Sequence, residues 1–286
     1  MPYYNIFIEN FIDKCNTLMF IVPSRWFSGG KGLDKFRKSM LKRTDIVSIK
    51  HFDDASKIFG NLVDIKGGVN YFIKDINYKN DYCNFNNNMT KLNKYDIFVD
   101  NKYYNLIDKI INYNSITDLY NSQDHYKIQS NDKRLIDTNK KNHVICYVSK
   151  QKGLIKYIDK KYIKNDMSKF KILTTSASYD AHSGFGNRFI AKPNEVHCKT
   201  YISFNVNSEN EAKSLLSYLN CKLPNFMLSI RKMSHNLSKE TCKWIPLPTL
   251  NKIWSDDEIY KYFKLTKLEI DLIKNTQLIG FIDNKK

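Results

Sequence analysis

The residues able to do chemistry are spread thinly along this chain, and their spacing limits what each can do. Ser28-Gly29-Gly30-Lys31-Gly32 gathers glycines and a lysine. It lacks the GxxxxGK[ST] spacing that wraps a phosphate in backbone N–H groups, so it reads as a flexible strand-to-helix turn. Ser183-Gly184-Phe185-Gly186 is not GxGxxG and reads as a loop. No GxSxG elbow occurs, and no histidine sits in an HxxxH or HExxH pattern, which removes common hydrolase and zinc-protease arrangements. Asp53 and Asp54 are adjacent carboxylates without a second acidic cluster or a lysine placed as in nucleases, and are expected to solvate a loop. Cys15, Cys83, Cys146, Cys198, Cys221 and Cys242 form no CxxC pair and have no histidine at zinc-ligand spacing. No metal is expected, and a reduced, cytoplasmic protein is the simplest reading.

Two basic stretches offer more. Residues 149–171 carry eight Lys against two Asp, and residues 221–244 carry five Lys or Arg against one Glu, both interleaved with aromatics. That mixture suits phosphate contact combined with base stacking. For the first stretch a solvated lysine-rich surface is an equal alternative. In the second, Arg231, Lys232, Ser234, His235 and Asn236 follow a helix and could present several donors and acceptors to a groove. This second stretch is expected to carry more of the affinity than the longer lysine run.

Composition sets the frame for these groups. With 286 residues and 42% apolar content, the chain is long enough for one large domain or two ordinary ones with a packed core. A formal charge of +17 favours a polyanionic partner, although an Asn-, Lys- and Ile-rich bias from a genome poor in G and C would add to it. No apolar stretch reaches the roughly 20 residues of a membrane span, and no signal peptide opens the chain. No membrane partner is expected.

Elements must position these groups. Tyr4, Phe7, Ile8, Phe11 and Ile12 fall on one face of a helix over residues 3–15. The apolar run at 18–23 predicts a strand buried on both faces of a parallel sheet. Residues 33–41 follow as a helix and residues 45–52 and 64–75 as strands. Helix, strand, helix, strand, loop, strand is the closing half of a doubly wound α/β sheet, with the opening half absent. An Asn-dense stretch after residue 76 marks a boundary, giving domains over residues 1–78 and 79–286. Beyond it the pattern is mixed α+β, with strands near 143–149, 169–175 and 201–206 and helical periodicity over 210–233 interrupted at Pro224.

Several segments resemble adenine-N6 DNA methyltransferases of the Eco57I-like restriction-modification group. They are YYNIFIEN (3–10), FIVPSRWFSGGKGLDKFRK (20–38), HFDDASKIFGNLVDIKGGVNYFI (51–73), GFGNRFIAKPNEVHCKTYISF (184–204), LSIRKMSHNLSKETCKWIPLP (228–248) and IWSDDEIYKYFKLTKLEIDLI (253–273). The resemblance implies a Rossmann-like catalytic sheet followed by a target-recognition domain that binds double-stranded DNA. In such enzymes the opening half of the sheet supplies the glycine motif for S-adenosylmethionine and the Asn-Pro-Pro-Tyr motif for the target adenine. Neither is found here, and MPYY at residues 1–4 echoes the second only weakly. The chain is thus expected to be the C-terminal part of such an enzyme, inactive alone, binding no S-adenosylmethionine by itself, and partnered by the missing half or a catalytic subunit.

By the same resemblance Pro23, Ser24, Arg25 and Trp26 face the catalytic cleft, and Phe59 stacks on the flipped adenine. A loop aromatic folded onto the core is the alternative for Phe59. Lys31, Arg188, Arg231, Lys232, Ser234, His235, Asn236 and Lys239 are the expected DNA contacts. A non-enzymatic DNA-binding specificity module that recruits a catalytic subunit is the main rival, and an RNA-directed relative is a third reading.

Overall fold

A computed structural model describes residues 2–60, 65–149, 154–178 and 181–278. It divides into two compact units, Met1–Asn105 and Leu106–Lys286.

The first unit runs α1 (Tyr4–Phe11), β1 (Thr17–Pro23), a 3-10 turn at Ser24–Phe27, α2 (Asp34–Leu41), β2 (Ile46–Phe52), α3 (Ser56–Phe59), β3 (Val69–Asp75), β4 (Tyr82–Phe85) and β5 (Asn88–Lys91). Its sheet has the order β1-β3-β2-β4-β5. β3 is antiparallel to both β1 and β2, so those two are parallel to each other, and α2 is the crossover between them. β4 is parallel to β2 and turns back into β5.

The apolar run at 18–23 is a strand as expected, but β1 is an edge strand and not one buried on both faces. Val22 is buried, whereas Met19 and Ile21 are 60% and 49% exposed. A continuous apolar run marks a strand without saying how many of its faces are covered. Val22, Ile46, Ile49 and Phe72 form the covered face; Met19, Ile21, Tyr71 and Ile73 share the other. On α1 the buried line is Asn5, Ile8 and Ile12, while Phe7 and Phe11, assigned to the inward face by periodicity, are 59% and 46% exposed.

The Asn-dense stretch is structured rather than a boundary. Asn86 and Asn87, with φ of 48° and 72°, form the two-residue turn between β4 and β5. A tight hairpin turn of that kind needs left-handed backbone at both positions, which Asn tolerates better than most residues. The division expected at residue 78 therefore falls inside the sheet, and the unit extends to Asn105.

α4 spans Tyr104–Ile110. The second unit holds β6 (Tyr120–Asn121), β7 (His143–Tyr147), β8 (Ile155–Asp159), β9 (Phe170–Thr175), β10 (Arg188–Ala191), β11 (Val196–His197) and β12 (Tyr201–Val206). Five helices follow: α5 (Glu209–Asn220), α6 (Lys222–Arg231), α7 (Lys239–Cys242), α8 (Asp256–Tyr262) and α9 (Lys267–Asn275). The strands make sheets of order β10-β9-β12-β6 and β11-β7-β8. The helical pattern over 210–233 breaks at Cys221, whose φ of −70° and ψ of 159° are extended, and not at Pro224. Pro224 lies in the first turn of α6, where a missing N–H costs nothing, and Asp256 Oδ1 accepts from Lys222 N at 2.6 Å. Among the described residues no helix is long and apolar enough to cross a membrane.

Lys171 and His197 are buried titratable side chains of this unit. Lys171 Nζ donates to the carbonyls of Lys169 at 2.7 Å, Met167 at 3.3 Å and Lys192 at 3.4 Å, and burial pulls its pKa down to about 8. On β11 the His197 ring lies edge-on to Tyr126 at 5.2 Å, with Nδ1 3.0 Å from the Cys198 carbonyl. Burial lowers its pKa from 6.5 to about 4, and nearby His125 and Lys171 push the same way. The unfolded chain thus binds a proton at this residue before the folded chain does, so stability from this group is full above pH 6.5 and falls as pH drops toward 4. The difference corresponds to about 3 kcal/mol over that interval. His197→Gln should show a shallower loss of stability between pH 6.5 and 4 than the parent, measured by urea unfolding at each pH. Parallel curves would assign the acid sensitivity to other groups.

Candidate functional site

The end of β1 is fastened to its neighbours by a chain of side-chain hydrogen bonds. Ser24 is fully buried, and its Oγ accepts from Asn70 Nδ2 at 3.1 Å and meets His51 Nδ1 at 2.7 Å. Asn70 Nδ2 also lies 3.3 Å from the Val22 carbonyl, and Ser24 N donates to the Gly68 carbonyl at 3.0 Å. His51 Nδ1 is also 3.1 Å from the Val69 carbonyl, and its Nε2 is 2.8 Å from Asp53 Oδ1. A carboxylate only accepts, so Nε2 carries the hydrogen of that contact, and Nδ1 faces both the Ser24 hydroxyl and the Val69 carbonyl. Asn86 Oδ1 accepts from His51 N at 3.0 Å, and the His51 ring stacks on Phe85 at 6.3 Å. Gly68, at φ 73°, lies so close to β2 that an added Cβ would sit 2.1 Å from the Phe52 carbonyl oxygen.

Serine, histidine and aspartate in one chain invite comparison with a hydrolase. The order is reversed here: the hydroxyl meets Nδ1 and the carboxylate meets Nε2, and the hydroxyl is sealed from solvent. The chain therefore positions the turn. It also gives Asp53 a partner, where the sequence suggested only loop solvation. The turn lies at the carboxyl ends of the parallel strands β1 and β2, where ligands bind in open α/β sheets.

Of the four residues expected at this edge, Ser24 and Trp26 point inward. Trp26 is fully buried, stacked on Phe98 at 6.2 Å and edge-on to Phe27 at 4.8 Å, so it anchors the turn rather than facing a cleft. Pro23 and Arg25 are half-buried. The Arg25 Nε has no hydrogen-bond partner among the described residues, and desolvation lowers the guanidinium pKa. Phe59 ends the short helix α3 and is exposed, not folded onto the core; Gly60 follows at φ 65°.

The inside of the glycine turn at Gly29 is occupied. Gly29, Gly30 and Gly32 all have φ near 80°. An added Cβ on Gly29 would fall 2.0 Å from Arg37 Nη1, because that guanidinium fills the inside of the turn and binds the Ser28 carbonyl and Asp34. Lys31 is exposed at the tip of the turn.

In the second unit the expected DNA contacts separate. Arg231 and Lys232 are 4% and 0% exposed, so they do not present their charges to a groove. Arg231 stacks on the Trp244 ring at 4.3 Å and donates from Nε to the Glu240 carbonyl at 2.8 Å. Lys232 Nζ donates to Ser183 Oγ at 2.5 Å. α6 is enclosed almost throughout, so its terminal cations turn inward along their apolar stems, a choice their position after a helix does not reveal. Arg188 is half-buried and donates to Asn225 Oδ1 at 3.1 Å, an oxygen that also accepts from Phe185 N at 2.9 Å. Asn225 thereby holds the Gly184–Gly186 loop, a role no sequence motif announced.

Ser234 is half-buried, while His235, Asn236 and Lys239 are exposed. Their strip lies alongside residues 176–178: Ser178 N donates to the His235 carbonyl and Leu237 N to the Ser176 carbonyl. From the longer lysine run, Lys160 and Lys161 are exposed and Lys156 half-buried; Lys150 and Lys152 lie outside the described residues. Lys156 pairs with Asp137 at 3.0 Å, and Lys161 lies over Tyr162 at 5.0 Å.

Residues 1–59 match the family model described as Eco57I restriction-modification methylase. The comparison with curated sequences gave no match. The chain is similar to the type IIG restriction endonuclease BpuSI at 11% identity and a TM-score of 0.38, covering 90% of this chain and 44% of that one. It is also similar to a nuclease-deletion mutant of the type ISP restriction-modification enzyme LlaGI, solved with a DNA substrate mimic, at 11% identity and a TM-score of 0.41, covering 80% and 29%. The chain thus spans less than half the length of either.

The hydrogen-bond chain at Ser24 has a graded consequence. Ser24→Ala removes the shorter contact of Asn70 Nδ2 and of His51 Nδ1, leaving each its neighbouring carbonyl, and should cost about 1.5 kcal/mol in urea unfolding. Asp53→Asn, at the exposed end, should cost under about 1 kcal/mol. The reverse ranking would mean that the carboxylate, not the serine, holds the turn.

Proposed function

We propose that this chain is the later portion of a restriction-modification DNA methyltransferase that transfers a methyl group to adenine N6. In this reading the first unit closes a Rossmann-like catalytic sheet and the second recognises double-stranded DNA. The observation that carries it is the match of residues 1–59 to a restriction-modification methylase family. A buried turn at the carboxyl edge of parallel strands, with Arg25 and Phe59 accessible beside it in sequence and sheet order, agrees with a base-handling cleft. The charge of +17 agrees with a DNA partner.

S-adenosylmethionine belongs to the full enzyme and supplies the methyl group there. In this reading the chain's own contribution is to shape the cleft and grip DNA. Calorimetry should detect no S-adenosylmethionine binding to the chain alone, while a duplex should bind in a salt-dependent way. Tight one-to-one cofactor binding would overturn the assignment to a later portion.

In this reading the DNA-facing groups are those the fold leaves exposed, and a salt series on duplex binding reads them out. Replacing Lys156, Lys160 and Lys161 together by Ala should lower the slope of log affinity against log salt by about 0.9 for each phosphate these lysines neutralise. His235→Ala and Asn236→Ala should each relax sequence preference, by about 1–3 kcal/mol where the native side chain reads a base edge. Arg231→Ala and Lys232→Ala should lower melting temperature and leave the salt slope unchanged. A slope change in those two variants, with stability intact, would return them to the DNA surface.

A further inference from the structure

The chain has six arginines, and five of them are held by the protein itself. Arg37 binds Asp34 and the Ser28 carbonyl, Arg43 binds Asp13 and Asp45, and Arg134 binds Asp132. Arg188 donates to Asn225, and Arg231 lies over Trp244 and donates to the Glu240 carbonyl. Arg25 differs. Among the described residues its half-buried guanidinium hydrogen-bonds to no carboxylate, carbonyl or hydroxyl, and its Nε–H is sealed from water without an acceptor. The group whose charge acts on it is the Tyr4 hydroxyl. Burial pushes that hydroxyl well above the usual phenol range, so it stays neutral and supplies no countercharge. A guanidinium keeps its proton in proteins, so the cost of desolvating it is offset by an anion or not at all.

Location and company say which anion fits. Arg25 follows β1 at the carboxyl ends of β1 and β2, the edge where ligands of open α/β sheets lie. Ser24, Trp26 and Phe27 beside it are buried and fix the backbone, so the guanidinium is delivered from a rigid turn. A nucleobase is uncharged at neutral pH and does not offset a cation. No second cation acts on Arg25 among the described residues, so a small free anion would be held by one residue alone. A phosphodiester differs, because the rest of its strand is gripped elsewhere and one planar fork of donors is enough to fix its place.

We propose that Arg25 receives a backbone phosphate of the bound duplex and sets the register of that strand at the sheet edge. It is then a positioning residue that meets the phosphate and not the base. The phosphodiester rests on the function proposed above; the uncompensated guanidinium does not.

The test uses the full chain and a fluorescent duplex in a salt series. Arg25→Gln keeps much of the stem and removes the charge, and Arg25→Lys keeps a charge. Lys14→Gln, the control, removes an exposed charge ahead of β1, at the opposite end of the strand. Arg25→Gln should lower the slope of log affinity against log salt by about 0.9, the counterion release of one phosphate, while Arg25→Lys and Lys14→Gln keep the parent slope. The melting temperature of Arg25→Gln should equal or exceed the parent's, because no protein partner is lost. The proposal is overturned by an unchanged slope, by an equal fall in Lys14→Gln, or by a slope that falls together with melting temperature, as for an arginine that braces the fold. It is also overturned if inorganic phosphate or acetate raises the melting temperature of the parent and not of Arg25→Gln, which would assign the site to a free anion. Duplex binding by the parent separates the failures. With it intact, an unchanged slope removes this contact alone; without it, the proposed function falls and the phosphate contact with it.

Discussion

The first unit depends on a single buried hydroxyl. Ser24 Oγ joins the end of β1 to Asn70 on β3 and to His51 on β2, so three strands meet at one polar atom in an apolar setting. Buried hydrogen-bonding groups contribute little net stability when paired and cost much when stranded, so such an atom fixes geometry more than it adds strength. With Ser24 held, the next residues are aimed: Arg25 half out of the sheet, Trp26 into the aromatic cluster with Phe27, Phe36 and Phe98. The neighbouring glycine turn is held separately, by Arg37 and Asp34.

The second unit solves a related problem with cations. Arg231, Lys232 and Lys171 are buried, and each finds carbonyls, hydroxyls or a ring rather than relying on a carboxylate alone. They brace the packing of α6 and β9, and the surface is left to His235, Asn236 and the lysines around β8. A charge count taken from sequence therefore overstates the charge available to a partner.

How much was legible follows from what kind of signal each feature leaves. Apolar runs and helical spacing located β1, α2, β2, β9 and β12 because burial of one face or stripe writes itself into residue order. The Asn-dense stretch misled, because composition cannot distinguish an unstructured linker from a hairpin that needs left-handed residues at its turn. Pro224 misled for a positional reason: a proline in the first turn of a helix starts it rather than breaking it. The link from Ser24 to His51 and Asn70 spans distant parts of the chain, and only sheet register brings it together. Arg231 and Lys232 read as surface because a long aliphatic stem leaves the direction of its charge open.

The turn of the β4–β5 hairpin reaches back to the site through Asn86 Oδ1 on His51 N. Asparagine-rich turns ordinarily absorb insertions, and in evolving or engineered chains they are the places where length varies most freely. Here that freedom is withdrawn. One added residue would carry the amide of Asn86 away from β2, and with it the support of the ring that meets Ser24. The most expendable-looking stretch of the chain is thereby a poor place for a tag, a splice or a fusion joint.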